Sequence, residues 1–174
     1  MDVFVEHMVT RKNSPIDMLK MFLLTVAGVV LVFVIFLVMS QLPSFAFLFL
    51  LAIFGACWGW WHLMTSFRVE FEYTLTNGEM DVDKIVAQRK RKRLITVNLR
   101  EIEIMAPMNG DHQRDFENHS LKTKIDASSS PQSPKAYFLI VNHDKQGLTR
   151  LIFEPDERIL SGAKMVAARK VFGQ

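Results

Sequence analysis

Two long apolar runs open the chain, and from Arg68 onward they give way to short segments in which apolar and polar residues alternate. The first run, Leu19 to Met39, and the second, Phe45 to Met64, each hold about 20 residues, the length that crosses a hydrocarbon core of roughly 30 Å as a helix. From Met21 to Met64 there is no Asp, Glu, Lys or Arg in 44 residues. Between the runs, "SQLPS" supplies a polar break with Pro43, which predicts a tight turn between antiparallel helices. A cleaved signal peptide would have a shorter apolar core, a small-residue cleavage site and no second span behind it. The pattern therefore predicts a membrane-spanning helical hairpin over residues 19–67, with spans at about 19–39 and 45–64, preceded by an N-terminal segment over residues 1–18. In that segment "SPID" marks a helix start: Ser14 as N-cap, Pro15 at the first helical position and Asp17 three residues after the cap. Ahead of it Val3, Phe4, Val5 and Val9 predict an extended or amphipathic stretch that docks on the domain beyond the hairpin.

That domain, residues 68–174, reads as strands. "VEFEYTLT" puts Val69, Phe71, Tyr73 and Leu75 on one face and Glu70, Glu72, Thr74 and Thr76 on the other, a strand with one buried side. Asn77-Gly78 follows, a strong hairpin signal because both residues tolerate positive φ. "MDVDKIVAQ", "RLITVNL" and "EIEIMAP" supply three further strands, ending at Pro107. Residues 108–135 form a polar insertion with one strand near Leu121 to Ala127, and "SSSPQSP" within it has the composition of a flexible linker. "AYFLIVN" and "GLTRLIFEP" form a hairpin around "HDKQ". The end of the chain predicts an amphipathic helix, with Pro155, Asp156 and Glu157 at its start, Arg169 and Lys170 in its last turn, and Gly173 beyond. Its apolar stripe is Ile159, Leu160, Ala163, Val166, Ala167 and Val171.

Charge sets the topology. Arg11, Lys12 and Lys20 precede the first span, Arg68 follows the second, and the connecting loop carries no charge. The positive-inside rule then predicts a two-pass protein of the plasma membrane with both termini cytoplasmic. Trp58, Trp60 and Trp61 form an interfacial belt, and His62 among them reads as an interfacial residue rather than a proton relay. Transport through the hairpin is not expected, since the spans offer only Thr25 and small residues such as Ala27 and Gly28 where a permeant would need polar ligands. Gly55 and Gly59 make a G-x-x-x-G that packing within the hairpin and homo-oligomer formation explain equally well. The single cysteine, Cys57, lies inside the apolar region and excludes a disulfide framework within one chain.

The succession "YTLTNGEMDV", "RLITVNLREIEIM" and "RLIFEPDERIL" with its helix is similar to the bacterial pleckstrin-homology-like (PH-like) domains, which often follow a two-helix hairpin in small uncharacterised proteins. The resemblance covers about Arg68 to Phe172, and the polar insertion departs from it. It implies an α+β fold: an antiparallel β domain closed by a C-terminal helix, with a binding or scaffolding role and no catalytic residues to carry over.

No enzyme signature competes with that expectation. The five histidines are His7, His62, His112, His119 and His143; only the Asp111–His119 segment, with Asp115 and Glu117, offers a rival reading as a metal-dependent or enzymatic module, and its spacing matches no tight ligand pattern. Ser128 to Ser130 lack the flanking glycines of a nucleophile elbow. No cofactor, metal or catalytic residue is predicted. What remains is "RKRKR", Arg89, Lys90, Arg91, Lys92 and Arg93, at and beside a hairpin turn. Without stacking aromatics or a reader motif it does not predict nucleic-acid binding. It reads as a contact for anionic lipid headgroups or a protein partner, or as a solvated edge that discourages strand pairing. The sequence thus predicts a membrane-anchored, non-catalytic binding or scaffolding module at the cytoplasmic leaflet.

Overall fold

In a computed structural model, which describes residues 4–41, 46–117 and 120–173, the chain forms two units: residues 13–68, and a domain made of residues 1–12 with 69–174. The first is the helical hairpin. Helix α1, Pro15–Ser40, has 26 residues, and α2, Ala46–Thr65, has 20, about 39 and 30 Å at the usual rise. Both are long and apolar enough to cross a membrane. The start of α1 is the expected capping box, in which the Asp17 amide donates to Ser14 Oγ and the Ser14 amide to Asp17 Oδ2, each at 3.2 Å. The turn expected at Pro43 lies outside the described residues.

The helices meet at Gly28, where a Cβ would come within 3.1 Å of the Trp60 ring. Cys57 lines the apolar groove beside that contact, with Thr25 and Val29. By contrast, a Cβ on Gly55 or Gly59 would meet nothing within 4 Å among the described residues. Both glycines nonetheless line an apolar groove with Leu24, Ala27 and Leu31 of α1.

The β domain has two four-stranded sheets. Sheet A is ordered β1 (Phe4–Thr10), β2 (Val69–Thr76), β3 (Glu79–Val86), β4 (Lys90–Asn98); sheet B is ordered β5 (Ile102–Pro107), β7 (Tyr137–His143), β8 (Gly147–Phe153), β6 (Thr123–Asp126). All pairs are antiparallel except β6 with β8. The short helix α3, Gln113–Phe116, lies in the insertion, and α4, Glu157–Ala167, closes the domain. The main core, with Tyr73, Leu75, Met80, Leu139, Leu151 and Phe153 at 1% exposure or less, receives Ile159, Leu160, Ala163 and Ala167 from α4. Asp156 caps α4 by accepting the Ile159 amide at 2.8 Å. After α4 the chain bridges β5, with Phe172 N donating to Met105 O at 2.8 Å.

Two expectations need correcting. The folded domain does not begin at Arg68: β1 pairs with β2 over seven residues and buries Val9 in the core, because Val5, His7 and Val9 share the parity that faces Phe71, Tyr73 and Leu75. The membrane hairpin is thus an insertion between two neighbouring strands. Nor is "SSSPQSP" a flexible linker throughout. Ser128 and Ser129 are buried, and Ser129 N donates to the Glu154 carboxylate at 2.7 Å while Ser129 O accepts the Lys12 amide at 2.8 Å. Tyr73 completes this seam, its hydroxyl donating to Ala127 O at 2.5 Å, and burial pushes its pKa well above the ordinary range. Small polar serines suit a loop whose backbone groups must all be paired inside the protein.

A chain in which residues 13–67 are replaced by a short Gly/Ser linker is expected to fold as a soluble domain, since the linker need only join neighbouring strands. A chain starting at Arg68 lacks the Val9 and Val5 contacts and should be at least about 2 kcal/mol less stable by chemical denaturation. Equal stability of the two would show that β1 is dispensable.

Candidate interface at the junction end of sheet A

Register identifies what lies where the chain leaves and rejoins the β domain. Arg11 N donates to Val69 O at 2.9 Å, so the two strands flanking the hairpin are paired to their ends. Val69 stands opposite Val86, and Val86 opposite Lys90. The β3–β4 turn is therefore at the same end of sheet A as both chain connections to the hairpin, about 10 Å across the sheet from β2 at the usual strand spacing.

Four of the five basic residues divide by face, while Arg89 sits with Ala87 and Gln88 in the turn between Val86 and Lys90. Arg91 and Arg93 lie on the outer face among carboxylates: Arg93 Nε is 2.5 Å and Arg91 Nε 2.9 Å from Asp83, Arg93 Nη1 is 2.6 Å from Asp81, and Arg91 also pairs with Glu72. Asp83 is 3% exposed. Burial alone would raise its pKa, but the hydrogen bond and charge of Arg93, with those of Arg91, outweigh it and hold the carboxyl below the ordinary range. These two arginines serve the sheet.

Lys90 and Lys92 alternate to the other face, the side that carries the core further along the sheet. There Lys92 stands directly opposite Lys84, which sequence reasoning had left as an ordinary strand residue. Like charges facing each other across a strand pair destabilise a sheet. Lys84, Lys90 and Lys92 have no ion-pair partner among the described residues. The signal that could have found Lys84 is register, which depends on the β-bulge between Val82 and Asp83.

The turn itself is strained. Ala87 and Gln88 of this three-residue loop both have positive φ, 55° and 56°, as Asn77 and Gly78 do at the other hairpin with residues suited to it. Non-glycine residues in this region cost about 1 kcal/mol or more each.

The other proposed site residues do not converge. His112 Nδ1 is 3.2 Å from Asp115 Oδ2 and its ring lies 4.2 Å from Phe172; His119 is outside the described residues. Among the described residues no three His, Cys, Asp or Glu are grouped to hold a metal ion. Trp58 stacks near His62 at 5.3 Å in α2, and Trp58, Trp60 and Trp61 are exposed.

Two four-stranded sheets share one core with the C-terminal helix, and residues 1–173 match the family "Bacterial PH-like domain (DUF6106)". The chain belongs to this family. The match takes in β1 and the hairpin as well as the region from Arg68, so the inserted hairpin falls within the PH-like family pattern. No curated protein and no solved structure matches the chain.

Two outcomes follow for this PH-like domain. Ala87→Asn with Gln88→Gly should raise stability by about 1 kcal/mol, measured by thermal unfolding. Asp83→Asn should lower it by about 1–3 kcal/mol at neutral pH. Because the folded pKa of Asp83 is depressed, its contribution is complete above about pH 4 and is lost as pH falls through the lowered value. The gap between wild type and Asp83→Asn should accordingly narrow below pH ~4.

Proposed function

We propose that this protein is a membrane-anchored, non-catalytic binding module of the plasma membrane, and that the junction end of its PH-like domain rests on anionic lipid headgroups of the cytoplasmic leaflet. The observation that carries the reading is the coincidence, at one end of sheet A, of both connections to the apolar hairpin and the unneutralised Lys84, Lys90 and Lys92. A basic side chain near an anionic leaflet contributes about 1 kcal/mol. Three lysines would therefore orient a domain that the hairpin already confines to the surface, although they could not recruit a free protein tightly.

The β1–β2 pairing bears on topology too. Strands on either side of a two-helix hairpin can pair only if both lie on one side of the bilayer, and the C-terminus belongs to the same domain. With basic residues flanking the spans, that side is the cytoplasmic one by the positive-inside rule.

The test uses the full chain in lipid nanodiscs, with Cys57→Ala and a nitroxide at Gln88→Cys. In discs containing phosphatidylglycerol the label should show headgroup-depth accessibility, and about 1 M salt should release it as the Debye length shrinks to ~3 Å. Lys84→Gln, Lys90→Gln and Lys92→Gln together should release it at low salt as well. Equal accessibility in anionic and purely zwitterionic discs would reject the lipid contact and leave a protein partner as the occupant of this end.

A further inference from the structure

Sheet B is apolar on both faces, and the polar insertion covers the outer one. Ala106, Phe138 and Ile140 are buried there in a cluster separate from the main core, with Phe116 of α3 against them. The Phe116 ring meets Phe138 edge to face at 5.5 Å. Around Phe116, by contrast, Arg114, Asp115 and Glu117 are exposed, so between Arg114 and Glu117 the contact with this cluster is made by one ring, with Met108 and Leu121 of the insertion adding theirs on either side in sequence.

Arg150 of β8 latches that ring. Its guanidinium carbon lies 3.8 Å from the Phe116 centroid, and Nη1 donates to the Phe116 carbonyl oxygen. The latch is incomplete: Arg150 Nε is buried and has no hydrogen-bond partner among the described residues. A single carbonyl oxygen leaves the guanidinium fork half used, whereas a carboxylate can accept from Nε and a neighbouring Nη together. Covering an unpaired donor weakens the closed strap, and a ligand that brings a carboxylate and a ring would pair that donor and fill the apolar strip.

We propose that the outer face of sheet B is a docking site for a peptide segment carrying an aromatic ring beside a carboxylate, and that Asp115–Phe116–Glu117 occupies it in cis as a displaceable cover. Asp115 and Glu117 give the strap the composition of such a peptide, but it is the Phe116 carbonyl, not a carboxylate, that reaches Arg150. A partner segment competes by supplying the carboxylate that the strap does not deliver.

The experiment takes the full chain in detergent micelles and two labelled peptides, one with the sequence of residues 111–117 and one with its acidic residues changed to Asn and Gln. Phe116→Ala should speed amide exchange across 111–117 while the amides of β7 stay protected. It should also bind the acidic peptide at least about tenfold more tightly than wild type, because the competing cover is gone. Adding Arg150→Gln should abolish that gain. Unchanged exchange, loss of β7 protection, equal uptake of the neutral peptide, or dimerisation of Phe116→Ala without peptide uptake would each overturn the proposal, the last in favour of a second copy as occupant.

Discussion

Antiparallel pairing of β1 with β2 is the constraint on which the rest of this molecule depends. Seven residues ahead of the first apolar helix and seven beyond the second form one ladder, with Phe4 opposite Thr76 and Thr10 opposite Glu70. The pairing turns a membrane hairpin and a β domain into one chain path: the domain starts, leaves for 56 residues, and resumes on the neighbouring strand. Both connections to the hairpin therefore leave from neighbouring strands of sheet A. The buried seam through Lys12, Ser129, Glu154 and Tyr73 extends the restraint from β1 to sheet B.

Electrostatics at that end follow from register more than from composition. A run of five basic residues looks like one patch, yet alternation sends Arg91 and Arg93 to Asp83, Asp81 and Glu72, where they neutralise carboxylates on the sheet's outer face. The remaining lysines acquire Lys84 as a neighbour and face the other way. An unrelieved Lys84–Lys92 pair beside a strained Ala87–Gln88 turn is a local cost in the folded state. Contact with anions would offset it, and this supports the proposal that the end is a contact surface.

Much of the fold was legible because it rests on strong local signals. The apolar runs, the Ser14–Asp17 capping box, the alternation of "VEFEYTLT", the Asn77-Gly78 turn and the stripe of α4 each announce their element within a few residues. What was not legible depends on pairing across long sequence separations. Val5 and Val9 have the right parity for a strand, but nothing local says that their partners are Leu75 and Phe71, some 60 to 70 residues away. The serines at 128 and 129 look like linker because composition records polarity and not the hydrogen bonds that bury them. The same limit hid the parallel pairing of β6, the buried outer face of sheet B and the membership of Lys84 in the junction end.

Whether β1 and β2 are paired across the hairpin in the membrane is the direct question. Since the odd-numbered residues of β1 hydrogen-bond toward β2, as Arg11 does to Val69, Glu6 and Thr74 form a non-hydrogen-bonded pair with Cα atoms about 4.5 Å apart, within disulfide range. In a Cys57→Ala chain reconstituted in bilayers, Glu6→Cys with Thr74→Cys should form an intramolecular disulfide rapidly under mild oxidation, whereas Glu6→Cys with Glu70→Cys, displaced four residues along the ladder, should not. Absence of the in-register bond, or equal cross-linking of both pairs, would contradict a hairpin inserted between two strands of one sheet.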